Sequence, residues 1–140
     1  MKIIRVMTRL NIGGPSTHAA ILSGLNRDRF DACLVVGRPE AGEGDRSDRI
    51  RCRLIRLSAL RRPLRPWWDA AALWGLAAVL WRERPRIVHT HMAKAGTLGR
   101  LAALLYNRLG PGRRAGQEAI LIHTFHGHVL EGYFPGWLSR

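Results

Sequence analysis

The stretch KIIRVMTRLNIGGP, residues 2–15, decides the fold of this 140-residue chain. Its first half is a short run rich in β-branched residues, and the run stops at Gly13 and Gly14. Pro15 suits the first turn of a helix, because the N–H that proline lacks would be unpaired there in any case. Apolar residues then recur at helical spacing as far as Asn26. The stretch therefore predicts a strand, a glycine turn and a helix.

The same order of strand and helix continues along the chain. Further strands are predicted over residues 32–36, 52–57, 87–91 and 120–125, and helices over 67–84 and 94–109. Strands that alternate with helices imply right-handed crossovers and a mostly parallel sheet covered on both faces. We therefore expect one three-layer, Rossmann-like α/β domain with the strand order 3-2-1-4-5.

Composition and segment lengths argue against a disordered or membrane-spanning chain. Hydrophobic residues make up 46% of the chain and charged residues 24%, which are globular proportions. The apolar segment from Trp67 to Trp81 contains Asp69 and is shorter than the ~20 residues that a spanning helix needs. No secretory signal is visible, and Cys33 and Cys52 lack metal-ligand spacing. We therefore expect a cytoplasmic chain with reduced thiols.

The charge balance is strongly basic, with 23 Lys and Arg against 10 Asp and Glu and a net charge of +13. Such a field favours anionic partners, namely nucleic acid, acidic lipid head groups or phosphate-bearing substrates. A basic surface that is merely solvated explains the same number equally well. Charge alone therefore leaves the partner open.

Ligands bind to open parallel sheets at the carboxyl ends of the strands, and three polar features are predicted at that edge. The first is the turn at Gly13 and Gly14. Glycines let backbone N–H groups approach an anion, and the helix that follows adds a partial positive charge. A plain tight turn would use the same two glycines, so both interpretations stay open.

The second feature is His89-Thr90-His91, with Lys94 at the start of the next predicted helix. Alternation along a strand directs His89 and His91 to the same side, so the pair could frame a pocket in which Lys94 holds an anionic group. Alternatively, these are strand-end polar residues satisfied by the backbone. A metal pair is disfavoured, because no carboxylate or cysteine stands nearby.

The third feature is the run HTFHGH, which carries His123, His126 and His128 at the end of the last predicted strand. A histidine at such an edge can hydrogen-bond a sugar hydroxyl, donate to phosphate or move a proton near neutral pH. A purely structural role for these histidines also stays open. The spacing matches no common zinc pattern, so we predict no metal site.

Trp67, Trp74 and Trp81 lie seven residues apart and drift by only ~20° per step, so they form one stripe on the long predicted helix. We expect this stripe to pack on the sheet. The apolar surface of this helix is wider than one sheet face can cover. A missing domain, a partner or a membrane surface is therefore expected to cover the remaining apolar surface. The basic connector Arg61–Arg65 precedes the helix and suits an anionic membrane surface.

Three segments resemble the family 4 glycosyltransferases of the GT-B type. They are RVMTRLNIGGP at residues 5–15 with His18 after it, ERPRIVHTHMAKAG at residues 83–96, and HTFHGHVLEGYF at residues 123–134. The resemblance implies retaining transfer of a sugar from a nucleotide diphospho-sugar to an acceptor, without a metal or other cofactor. It also implies that this is the amino-terminal, acceptor-side half of such an enzyme.

The resemblance assigns roles to residues of all three segments. His126 would face the transferred sugar as the catalytic residue, and Gly13 and Gly14 would approach the donor phosphates. Four further residues are expected to bind substrate, namely His18, His91, Lys94 and His128. Many acceptors of such enzymes are lipid-linked, which implies peripheral contact with the inner membrane face.

The chain stops at Arg140, so the donor domain of such an enzyme is absent from it. We therefore expect a truncated domain over residues 1–140, inactive alone and completed by a carboxyl-terminal domain or a partner chain. One alternative is a UDP-sugar 2-epimerase, but its expected Gly-Thr-Arg-Pro-Glu opening does not match residues 7–11. A basic nucleic-acid-binding module is the other alternative. It is disfavoured because the strands have a buried pattern and many Arg residues fall in loops.

Overall fold

A computed structural model describes residues 1–25, 27–114 and 116–126. Within these residues the chain forms five β-strands and three α-helices: β1 Lys2–Met7, α1 Gly14–Gly24, β2 Asp31–Val36, β3 Arg53–Arg56, α2 Pro66–Glu83, β4 Ile87–His91, α3 Ala93–Leu109 and β5 Ile120–Thr124. Short 3₁₀ turns at Ser47–Arg49 and Pro111–Arg113 interrupt the two longest connections. No helix in the described ranges is long and apolar enough to cross a bilayer.

The sheet has the order β3-β2-β1-β4-β5, and every neighbouring pair is parallel. This confirms the predicted order and the α/β fold. β1 lies at the centre and is buried from Ile3 to Met7. Apart from Arg5, its buried residues are all apolar and do not alternate with polar ones, because helices cover both of its faces.

Two hydrophobic cores lie on opposite faces of the sheet. Ile4 and Val6 of β1 pack with α2 and α3, whereas Met7 of β1 packs with Ala19 of α1. Since successive side chains of a strand point to opposite faces, α1 forms one layer and the pair α2–α3 forms the other. The three layers agree with the sequence prediction.

The tryptophan stripe of α2 does not pack on the sheet, so that prediction is wrong. Trp67 is 79% exposed and Trp74 is 71% exposed. The buried face of α2 is instead formed by other residues of the helix, including Ala72 and Leu76. Because the stripe drifts along the helix, only Trp81 turns inward, where its ring packs edge-on at 5.9 Å from Tyr106 of α3.

Ion pairs fix the two ends of α2. Near its carboxyl end, Glu83 is buried and pairs with Lys2 of β1 at 3.1 Å and with Arg53 of β3. Burial by itself would raise the pKa of Glu83, but Arg53 and Lys2 outweigh it and lower that pKa to about 2. At the amino end of α2, Asp69 pairs with Lys94 of α3. These contacts hold the outer helix layer in register with the strands.

Candidate functional site

The candidate site lies where β1, β4 and β5 end beside the first turns of α1. Parallel pairing aligns His91 with Thr124 and places β4 between β1 and β5. All carboxyl ends therefore meet at one edge of the sheet, which is where open α/β sheets bind ligands. α1 begins at Gly14, directly beyond this edge, and carries His18.

Three histidines from three different elements meet at this edge, and we call His18, His91 and His126 the histidine cluster. Nδ1 of His91 and Nε2 of His126 are 3.0 Å apart, a hydrogen-bond distance. The ring centroid of His18 lies 5.7 Å from that of His91 and 5.4 Å from that of His126. Residues far apart in the sequence thus form one polar group.

His89 extends the cluster along β4. Its ring centroid is 4.2 Å from that of His91, so the two side chains share a face as alternation predicts. Nε2 of His89 lies 2.7 Å from Oγ1 of Thr124 on β5. This hydrogen bond fixes the ring of His89 and ties the ends of the two strands together.

Burial keeps the inner histidines neutral. It is the main cause that lowers the pKa of His91 to about 3 and that of His89 to about 4, and the charge of Arg5 lowers both further. Burial also lowers the pKa of His126, with His18 as the next cause. At neutral pH each of these rings therefore offers one N–H donor and one lone-pair acceptor.

Arg5 is the functional candidate that sequence reasoning missed. It is only 6% exposed, and its Nε and Nη1 find no hydrogen-bond partner among the described residues. It pairs in register with His89 on the face that carries the histidines. Burial lowers the pKa of this guanidinium, yet an arginine stays charged in proteins. A lone charge in the middle of a buried parallel strand was the signal that could have revealed it.

His123 faces the other side of the sheet. Its Nδ1 lies 2.8 Å from Oγ1 of Thr90, and a Cβ added to Gly96 of α3 would come within 2.5 Å of its ring. The ring thus fills the space between β5 and α3. His123 packs and hydrogen-bonds within the fold.

The glycine turn leaves open space at the site. A Cβ added to Gly14 would meet nothing within 4 Å, and one added to Gly13 would meet only the ring of Pro15. The backbone N–H of Thr17 donates to the carbonyl of Gly13 at 3.1 Å and closes the first turn of α1. The earlier N–H groups of that turn remain available to a ligand.

Lys94 is engaged away from the histidine cluster. Its ammonium pairs with Asp69 and donates to the carbonyl oxygen of Pro63. Lys94 therefore connects the first turn of α3, to which it belongs, with the first turn of α2. His128 lies outside the described residues.

Met92 joins β4 to α3 in a conformation that side chains seldom adopt. Its φ is 66° and its ψ is 157°, a region that is essentially reserved for glycine. Such strain is stored at functional sites when the surroundings hold it in place. Here the turn follows directly after His91 and sets the direction in which α3 leaves the ligand edge.

A parallel sheet flanked by helices, with polar side chains gathered at its carboxyl edge, defines a ligand-binding α/β domain of the Rossmann type. The model of the family described as glycosyl transferase 4-like domain matches residues 13–140. The chain belongs to that family.

Two solved structures share the fold. A sucrose-phosphate synthase from Thermosynechococcus elongatus aligns over all of this chain with a TM-score of 0.62 and 15% identity. A UDP-GlcNAc 2-epimerase from Methanocaldococcus jannaschii aligns over 89% of the chain with a TM-score of 0.51 and 15% identity. The chain spans 37% of the first protein and 31% of the second. A search of curated proteins finds no significant sequence match.

Proposed function

We propose that the chain is the acceptor-side domain of a retaining glycosyltransferase that takes a sugar from a nucleotide diphospho-sugar. The observation that supports this most directly is the histidine cluster, which stands at the ligand edge of a glycosyl transferase 4-like domain. The donor is a substrate, and the proposal includes no metal or other cofactor. The epimerase alternative shares only the fold, while the family match favours a transferase.

His126 is the residue that faces the sugar being transferred. Its ring is partly exposed and hydrogen-bonds to His91 at 3.0 Å, so the buried partner fixes its orientation. A neutral imidazole held in this way can donate to a sugar hydroxyl whose charge changes as the glycosidic bond breaks. His18 closes the other side of the cluster and is placed to contact the same ligand.

The donor phosphates are expected to approach Gly13 and Gly14. The open space at both glycines admits an anion to the first N–H groups of α1, and the helix dipole favours negative charge there. Arg5 lies beneath the same edge and adds a positive potential that little solvent screens. The site therefore attracts a diphosphate without requiring a metal ion.

Transfer needs a second domain that binds the nucleotide. The chain spans about a third of the two related structures, and we propose that it depends on a donor domain in its own protein or in a partner chain. Positioning of two substrates contributes up to ~7–11 kcal/mol to lowering a barrier. The chain by itself is therefore expected to show no turnover.

The acceptor is proposed to be lipid-linked and the protein to act at the cytoplasmic face of a membrane. Leu64, Trp67 and Trp74 present large apolar side chains to solvent, with Leu64 83% exposed. Arg61, Arg62 and Arg65 stand beside them. Tryptophan next to clustered arginine is suited to the interface of an anionic bilayer.

The proposed role of His126 is tested by replacing it in the chain supplied with its nucleotide-binding domain. His126→Ala is expected to cut turnover about 10²–10³-fold, as loss of a positioned donor does elsewhere, while the folded fraction is retained because the ring lies at an edge. His123→Ala is the matched control, since it removes a histidine from the opposite face of the same strand end. It is expected to lower thermal stability more than turnover.

Turnover is measured as the transfer of radiolabelled sugar per folded molecule, and stability is measured by thermal unfolding. The assignment fails if His126→Ala keeps the parental turnover, or if both variants lose stability equally with turnover unchanged.

A further inference from the structure

We propose that the histidine cluster also binds a divalent transition metal ion, with Zn²⁺ as the best fit, and that the bound ion occludes the ligand edge of the sheet. The inference stands apart from the proposed glycosyl transfer, because it concerns metal binding by the chain itself.

The geometry comes close to a zinc site. Among the described residues, His18, His91 and His126 each offer a ring nitrogen within 4.8 Å of those of the other two. Tetrahedral Zn²⁺ with Zn–N bonds of ~2.0–2.1 Å places its ligands about 3.3 Å apart. The separation of 3.0 Å between Nδ1 of His91 and Nε2 of His126 is already in that range. A small movement of His18 on α1 would complete three ligands.

One nitrogen of the cluster gains from a bound ion. Nδ1 of His18 is buried without a hydrogen-bond partner among the described residues. A buried polar atom without a partner is costly, so coordination of the ion through Nδ1 of His18 would relieve that cost. Burial also keeps His91 neutral at pH 7, and the neutral ring is the form that binds a metal.

Three histidines leave a fourth coordination position open to water, as in catalytic rather than structural zinc sites. His126 is partly exposed, so that position faces the edge where we place the transferred sugar. Arg5 opposes the ion, because its buried positive charge repels a dication. We therefore expect binding that is saturable and reversible by chelators, and weaker than in a closed structural site.

The test titrates the chain itself with Zn²⁺ and with Co²⁺, whose visible absorption reports tetrahedral coordination. The parent chain is expected to bind one ion, to unfold at a higher temperature in Zn²⁺ and to lose both effects in EDTA. His18→Gln and His126→Gln each remove a ligand from outside the hydrophobic cores. Each is expected to weaken binding by at least the roughly 10- to 100-fold that loss of an outer-shell partner costs.

His123→Gln is the control, because that ring lies on the opposite face of the sheet and should leave metal affinity unchanged. Comparing each variant with and without Zn²⁺ separates metal binding from any change in its own stability. The proposal is overturned if the parent chain binds Zn²⁺ without saturation, or if His123→Gln weakens binding as much as the cluster variants do. Glycosyl transfer plays no part in these measurements, so their failure would leave the proposed function standing.

Discussion

At the scale of single residues, neighbouring histidines have different environments because strands alternate. His91 turns toward α1 and is fully buried beside His89 and Arg5. His123 pairs in register with Thr90 and turns toward α3 instead. The same residue type therefore lies at the carboxyl edge of the sheet in one case and fills a packing space in the other.

Burial of His91 makes the stability of the fold depend on pH. The pKa of His91 is about 3 in the folded chain, against an ordinary 6.5 when unfolded. Between these values only the unfolded chain takes up the proton, so the contribution to stability is complete above pH 6.5 and declines as the pH falls toward 3. The free energy of unfolding is expected to fall by about 2 kcal/mol between pH 6.5 and 5 from this group.

Urea unfolding at pH 7, 6 and 5 measures this dependence, and His91→Gln should make it shallower. Glu83→Gln is the control. The pKa of Glu83 is about 2 in the folded chain, against an ordinary 4.5 when unfolded. Both values lie below this window, so the slope should be retained. A parent chain whose unfolding free energy is constant from pH 6.5 to 5 would contradict the prediction.

At the scale of elements, Gly37 lets the chain that leaves β2 lie against the backbone of Thr8 and Leu60. A Cβ added there would lie 1.7 Å from the carbonyl oxygen of Leu60 and 2.5 Å from that of Thr8. Both contacts are to backbone, which cannot rotate away as a side chain can. Gly37→Ala is therefore expected to cost about 3 kcal/mol or more, beyond ordinary overpacking.

Gly14→Ala is the matched substitution, since the added methyl group meets nothing within 4 Å. Alanine favours a helix interior by about 1 kcal/mol over glycine, but position 14 is the first residue of α1 and precedes Pro15, where a Cβ disfavours helical backbone. The variant should therefore be about as stable as the parent. Denaturant midpoints of the two variants provide the comparison. Equal stability of Gly37→Ala and Gly14→Ala would contradict the prediction, because it would show that the backbone around Gly37 can move to accommodate the methyl group.

The sequence was sufficient to predict the strands and helices that have a regular apolar pattern or that are bounded by glycine and proline. Strand β4 matches its predicted bounds, and the glycine turn marks the start of α1 within one residue. The outward direction of Trp67 and Trp74 was not predictable, because periodicity identifies a stripe on a helix but not the face that packs. The cluster of His18 with His91 and His126 likewise needs the tertiary fold, which brings residues over a hundred positions apart together.

At the scale of the whole molecule, positive charge and apolar surface coincide on the layer formed by α2 and α3. The two helices contribute only two acidic residues, Asp69 and Glu83, and both are in ion pairs. Other acidic residues, among them Glu40, Glu43 and Asp45, stand in the loop between β2 and β3. We therefore expect an anionic bilayer to be attracted to this layer more than to the remainder of the described surface.

Vesicle binding tests that asymmetry. The chain is expected to bind vesicles of acidic lipid at low salt and to bind neutral vesicles less. Replacing Arg61, Arg62 and Arg65 by Gln should weaken binding about fivefold for each residue, at roughly 1 kcal/mol per basic residue near such a surface. Replacing Arg46, Arg49 and Arg51, which precede β3, by Gln is the control with the same change in net charge. Equal binding to both vesicle types, or equal losses in the two triple variants, would count against membrane contact.

The contacts of Lys94 join the outer surface of the protein mechanically to its ligand edge. Lys94 lies only three residues after His91. Its ammonium pairs with Asp69 in the first turn of α2 and donates to the carbonyl oxygen of Pro63 in the basic connector. Met92 lies between His91 and Lys94 and has a φ of 66°. A displacement of the basic connector would therefore be transmitted through the contacts of Lys94 to the turn that follows His91.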